Sequence, residues 1–191
     1  MGGLKHVEVE LKFPVLNSQE LVKKLNSLAQ HDKSDFQKDT YYIPKHRNFL
    51  ETTPVSEWLR LREAKGKFSI NYKNWHKDKD PKSVSCDEFE TKIEDLDALR
   101  KIFASLNFEE VITVEKARNT WMYKDVEIAI DSIKELGDFI ELEAKGNFNN
   151  VEEAKAHLYA VLKELNAQLG PQDFKGYPYS LLEKRGLLKT S

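Results

Sequence analysis

Apolar and polar residues alternate with period two through most of this chain. In HVEVELKF, residues 6–13, Val7, Val9, Leu11 and Phe13 fall on one face of an extended segment and Glu8, Glu10 and Lys12 on the other. The same rhythm predicts strands at 6–13, 39–43, 57–63, 68–74, 84–93, 111–123, 125–132 and 138–145. REAKGKFS centres a hairpin on Gly66, YKDVE is a second tight reversal, and Gly137 sits where a positive φ costs a glycine nothing.

Helical periodicity interrupts the alternation in three places. In NSQELVKKLNSL, Asn17 and Glu20 form a capping box and Leu21, Leu25 and Leu28 share a face. EDLDALRKIFASLNF carries the stripe Leu96, Leu99, Ile102, Phe103 and Leu106. In NNVEEAKAHLYAVLKELNAQLG, Asn150 and Glu153 form the box, Val151, Ala154, Leu158, Val161, Leu165 and Leu169 face inward, and Gly170-Pro171 ends the helix. A short helix, YSLLEKR, follows. PKHRNFLETTPVSE and NWHKDKDPKS read as loops, the second placing Lys77, Lys79 and Lys82 in a polar, solvated segment.

The polar strand faces change the picture. An ordinary solvated face mixes Thr, Ser, Lys and Gln. Here carboxylates pair at i, i+2 (Glu8/Glu10, Glu88/Glu90, Glu141/Glu143) and so do cations (Arg60/Arg62, Lys116/Arg118), while Lys73, Glu127 and Asp131 share the same sided pattern. Like charges two apart on a strand repel. A sheet that collects them needs a ligand to offset that repulsion. Carboxylate oxygens suit hard divalent ions, and Arg/Lys sets suit phosphate oxygens. Together they describe a closed sheet with a charged lumen that takes a metal-bound polyphosphate. Its apolar outer face is then covered by the amphipathic helices.

Composition agrees. The chain has 191 residues, enough for a single domain, with 30 Lys+Arg against 32 Asp+Glu, a balance that argues against a dedicated nucleic-acid binder. Cys86, alone, excludes an intramolecular disulfide and a cysteine-built metal site. No segment reads as a membrane span or a signal peptide, which gives a cytoplasmic address as the expectation. The five histidines show no ligand spacing. Trp58, Trp75 and Trp121 read first as packing residues, with a base-stacking platform as the alternative.

Glu8-x-Glu10-x-Lys12 matches the ExExK signature of the CYTH family, also called triphosphate tunnel metalloenzymes. The motif is short. The ordered series LRLRE, YK, EFET, VEKARNTW, IAIDSIKELGDFIELE and YPYSLL extends the resemblance over nearly the whole chain, and it looks closest to the class IV adenylyl cyclases. The resemblance implies an α+β fold dominated by β: an eight-stranded antiparallel closed barrel, the triphosphate tunnel, with helices packed outside. It implies a single domain over 1–191 with a helical closure at about 150–188, acting on ATP, inorganic triphosphate or thiamine triphosphate with Mg²⁺ or Mn²⁺, as a monomer or homodimer, away from nucleic acid and membrane.

By matching positions, the resemblance assigns Glu8, Glu10, Asp131, Glu141 and Glu143 to one or two divalent ions. Lys12, Arg60, Arg62, Lys73, Lys116 and Arg118 would clamp the triphosphate, and Glu88 and Glu90 would line the tunnel, positioning cations or a nucleoside hydroxyl. Glu127, Lys92 and Lys145 complete the inner charge lattice. The run of segments favours conversion of ATP to cyclic AMP and pyrophosphate. Glu143 adds a carboxylate that cyclases need not have, and Lys184 or Arg185 could serve a triphosphatase by orienting water. A tunnel that binds nucleotide or polyphosphate without turnover is the alternative of another class.

Overall fold

The computed structural model describes residues 7–52, 55–75 and 85–188, with the side chains of residues 7, 8 and 85 left aside. His6, His76 and the loop lysines Lys77, Lys79 and Lys82 lie outside these residues. Eight antiparallel strands form the sheet: β1 (Val7–Pro14), β2 (Gln30–Pro44), β3 (Glu57–Ala64), β4 (Lys67–Trp75), β5 (Ser85–Ile93), β6 (Phe108–Tyr123), β7 (Val126–Ile133) and β8 (Gly137–Ala144). Their order, β1-β5-β4-β3-β2-β6-β7-β8, closes into a barrel because β1 pairs with β5 through Val7–Val9 and with β8 through Glu10–Pro14. A closed sheet leaves no edge to template aggregation.

Local chemistry explains the reversals. Lys65-Gly66 and Lys124-Asp125 all have positive φ, the backbone that two-residue hairpins need to follow the strand twist. Gly137 starts β8 at φ 89°. The two longest strands exceed what alternation alone suggested. β2 starts at Gln30, and a register shift between His31 and Lys33 lets its polar first half pair with β6.

The apolar strand faces point outward. Helices α1 (Ser18–Leu28) and α3 (Val151–Leu165) cover β1, β7 and β8, where Leu11, Ile128, Ile140 and Leu142 pack against Leu21, Leu25, Leu158 and Leu165. Helix α2 (Leu96–Ser105) covers Tyr42 and Leu61 with Leu96 and Phe103. Ile102 and Leu106, expected in its buried stripe, are exposed, as is Leu28 of α1. Only part of each stripe meets the curved wall.

Two helix ends differ from expectation. Asn17 does not cap α1: its side-chain oxygen accepts from the Gln168 backbone N–H, tying α1 to the segment after α3. Helix α3 stops at Leu165, with Asn166 in the left-handed region, and so Leu169 is not a helical core residue. The chain from 168 to 173 instead runs along β1, the N–H groups of Gly170 and Asp173 donating to the carbonyls of Pro14 and Lys12. It takes the edge of β1 beyond its short pairing with β5. Gly170 suits this close approach: an added Cβ would lie 3.2 Å from the Pro14 side chain. The last helix, α4 (Tyr177–Lys184), then fills one end of the barrel. Tyr177, Leu181 and Leu182 pack on Trp58, Val114, Ile133 and Phe139.

Candidate active site

Inside the barrel lies a cavity of about 530 Å³, within the usual range for small-molecule sites. Every strand contributes through its inward alternation. Of the residues assigned from the sequence, Glu10, Lys12, Arg60, Arg62, Lys73, Glu88, Glu90, Lys116, Arg118, Glu141 and Glu143 line it together, as do Glu127 and Lys145. Lys92 is exposed and does not. Glu8 lies in β1 opposite Cys86, and its side chain is outside the described part. Lys184 and Arg185 face away, bonded to Glu135 in the β7–β8 turn, so neither can orient water in the cavity.

The ladders set the inner rows. Glu127 pairs with Glu143, and Glu143 with Glu10, so three carboxylates stand level on adjacent strands. One step down, Ala129 pairs with Glu141 and Glu141 with Lys12. The Lys12 ammonium reaches both Glu10 Oε1 and Glu141 Oε2 at 3.0 Å. Burial works against its charge, yet Glu10, Glu141 and Asp173 hold its pKa well above the ordinary value. Lys73 Nζ sits 3.8 Å from both Glu10 and Glu88.

Asp131 is fully buried behind this row. Arg118 donates to both its oxygens at 2.6 Å, Lys116 to one at 3.2 Å and the Tyr177 hydroxyl to the same one at 2.9 Å. Arg118 also reaches Glu141 at 2.9 Å. Burial, then the Arg118 guanidinium beside it, lower Lys116 to about 7 against the pull of Asp131.

Sequence reasoning passed over four contributors. Asp39 takes two hydrogen bonds from Arg62 at 2.7 Å and lies 3.6 Å from Arg60. Burial would raise its carboxyl, but Arg62 and Arg60 hold it well below the usual range. The signal was present: in QKDTYY, Gln37, Asp39 and Tyr41 share the inward face. Tyr177 was quoted in YPYSLL without a role, yet its ring lies 4.7 Å from the Lys12 ammonium and 5.2 Å from that of Lys116. Asp173 is a third and Gln37 a fourth, both on the cavity lining. Nothing in the local spacing places residues 172–178 on the cavity wall; only the course of the chain past Gly170 does.

The lining is chemically incomplete. Among the described residues, Arg60 Nε, Gln37 Oε1 and Asp173 Oδ2 are buried and find no hydrogen-bond partner, a costly state that bound groups relieve. Arg60 Nε, among clustered cations, suits an anionic oxygen. Glu10 and Glu141 already converge on one cation position, the Lys12 ammonium. Their hard oxygens fit Mg²⁺ or Mn²⁺. In this side-chain arrangement no three His, Cys, Asp or Glu side chains among the described residues are placed to hold a metal ion together. One end of the cavity is apolar, with Tyr41, Val55, Trp58, Trp75 and Pro178 on its wall. Trp121 packs outside, its indole N–H on Asn26.

No helix among the described residues is long and apolar enough to cross a membrane. The CYTH domain profile matches residues 6–177. A protein of Methanocaldococcus jannaschii named "Putative adenylate cyclase" is 35% identical over 95% of this chain and 99% of its own. A solved Pyrococcus horikoshii protein superposes with a TM-score of 0.80 at 31% identity, over 93% of this chain and 99% of that one. A Hippeastrum protein, whose description reads "Putative adenylyl cyclase HpAC1 from Hippeastrum reveals a dominant triphophatase activity", shares the fold at a TM-score of 0.61 and 18% identity, over 94% of this chain and 95% of that one. With a profile match across most of its length and a relative of this identity, the chain belongs to the CYTH domain family.

Proposed function

We propose that this protein is a divalent-metal-dependent enzyme that converts ATP to cyclic AMP and pyrophosphate inside the barrel. One observation carries the reading. A continuous cavity joins a cluster of buried cations, including an Arg60 Nε that has no hydrogen-bond partner among the described residues, to an apolar end walled by Trp58 and Trp75. The first part suits a triphosphate and the second a nucleoside.

Lys12, Arg60, Arg62, Lys73, Lys116 and Arg118 would bind the phosphate oxygens and offset charge building on the leaving pyrophosphate. Glu10, Glu141 and Glu143, with Glu8 from its place in the motif, would hold the divalent ion, which when bound neutralises phosphate charge. Asp131 would serve from behind, since its oxygens already accept from Arg118, Lys116 and Tyr177. Glu88 and Glu90, both accepting from Asn71, would fix the far wall and a substrate hydroxyl. In the reaction the 3′-hydroxyl oxygen bonds to the α-phosphorus, the bond from that phosphorus to the bridging oxygen breaks, and the hydroxyl proton is released.

The second reading is a triphosphatase, in which water attacks the terminal phosphorus and orthophosphate leaves. The same cation set serves it, and the Hippeastrum neighbour is described by that activity. Purified protein with ATP, and separately with inorganic triphosphate, under Mg²⁺ and Mn²⁺, separates the two by product chromatography. Cyclic AMP with matching pyrophosphate is expected. Orthophosphate from triphosphate with ATP untouched selects the second reading, and no turnover of either leaves a binding module.

A further inference from the structure

Lys12 belongs to the proposed phosphate clamp, yet its ammonium lies 3.0 Å from Glu10 Oε1 and 3.0 Å from Glu141 Oε2. Both carboxylates are among those that the reading above gives to the metal. The other oxygens are also engaged: Glu10 Oε2 lies 3.8 Å from Lys73, and Glu141 Oε1 accepts from Arg118 at 2.9 Å. All three side chains are nearly buried, at 7–11% exposure. Two carboxylates this close, with little water to screen them, need a cation between them.

From this arrangement we infer that Lys12 is a stand-in cation. Its single positive charge offsets the repulsion between Glu10 and Glu141 when no divalent ion is bound, and a divalent ion must evict it to bind both carboxylates. The evicted ammonium has a flexible four-carbon stem rooted on the inner wall, and it swings toward the triphosphate oxygens. One residue therefore has two alternative partners, carboxylate or phosphate. Metal and triphosphate would then favour each other's binding, because each stabilises the same displaced Lys12. The chain keeps the Glu10–Glu141 repulsion offset without substrate and holds metal weakly until substrate arrives.

This inference rests on the metal-dependent reading, and the test separates the two. Mn²⁺ binding without any phosphate is measured by electron paramagnetic resonance for wild type, Lys12→Met and Lys73→Met. Both variants remove one positive charge beside Glu10, but Lys12 lies 3.0 Å from both carboxylates whereas Lys73 approaches Glu10 at 3.8 Å. Lys12→Met is expected to bind Mn²⁺ about tenfold more tightly than wild type, and clearly more tightly than Lys73→Met. Lys12→Arg, which keeps a cation between the carboxylates, should bind no better than wild type; it also serves if the methionine variant does not fold. Equal gains for Lys12→Met and Lys73→Met, or a gain for Lys12→Arg, overturn the stand-in while Mn²⁺-dependent turnover by wild type keeps the reading. Absence of both Mn²⁺ binding and turnover in wild type overturns both.

Discussion

Arg118 stands directly across the β6–β7 ladder from Asp131 and grips both of its oxygens at 2.6 Å. The same relation recurs nearby, past the intervening β2–β6 ladder, where Arg62 stands across the β2–β3 ladder from Asp39 and grips both of its oxygens at 2.7 Å. Each aspartate also has a second cation in reach, Lys116 for Asp131 and Arg60 for Asp39. The cation set proposed to bind the triphosphate is thus oriented from behind by two buried carboxylates. Guanidinium forks fixed at one edge keep their remaining N–H groups aimed inward.

Removing one member of such a pair leaves an uncompensated buried charge. Asp131→Ala should lower unfolding stability by about 3–5 kcal/mol. The double variant Asp131→Leu/Arg118→Met, which removes both charges, should recover much of that loss in urea unfolding while triphosphate binding stays weak. An equally unstable double variant would show that packing around Asp131, and not its charge, carries the effect.

Asp39 gives stability a defined pH signature. Its folded carboxyl is held below the ordinary value by Arg62 and Arg60 against burial. A depressed pKa stabilises fully above the unfolded pKa of about 3.9 and is lost as pH falls toward the folded value. The stability gap between wild type and Asp39→Asn should be constant from pH 7 to about pH 5 and shrink below about pH 4. Urea midpoints across that range test it, and a gap that closes above pH 5 would place the ion pair elsewhere.

The strands and the inward charge sets were legible because a half-buried strand writes its two faces in alternate letters, and Glu8-x-Glu10-x-Lys12 does so with charges. The unseen part depended on partners distant in sequence. Asp39 is a single acid in a strand, and its meaning appears only when Arg62 is found opposite. Asn17 has the letter of a helix cap, but tertiary contact with Gln168 outbids the local bond. Residues 168–173 look like a helix end, yet they hydrogen-bond along β1, where among the described residues β5 pairs with that edge at Val7–Val9. No local pattern encodes another strand's pairing.

Glu10 joins the carboxylate row to the cations, being paired with Lys12 and approached by Lys73. Glu10→Ala should reduce divalent-ion-dependent turnover about 100-fold or more, as expected when a carboxylate proposed to hold the charge-stabilising ion is removed. The barrel should remain folded, since the apolar coat formed by α1 and α3 is untouched. Turnover in Mn²⁺ and the far-ultraviolet circular dichroism spectrum are the two readouts. Wild-type turnover in the variant would remove Glu10 from the site.

The apolar end of the cavity should separate nucleotide from bare triphosphate. Trp58 is buried at this end, in edge-to-face contact with Tyr41 at 5.5 Å, and borders the cavity with Trp75. Contact between an aromatic side chain and a base contributes about 1–3 kcal/mol. In Trp58→Leu the KM for ATP should therefore rise about tenfold or more, while binding of inorganic triphosphate, measured by calorimetry, should hold within about twofold. Retained triphosphate binding also shows that the variant's cation set is intact, so a loss confined to ATP cannot come from unfolding. Equal losses for both ligands would mean that Trp58 supports the barrel wall and that the base lies elsewhere.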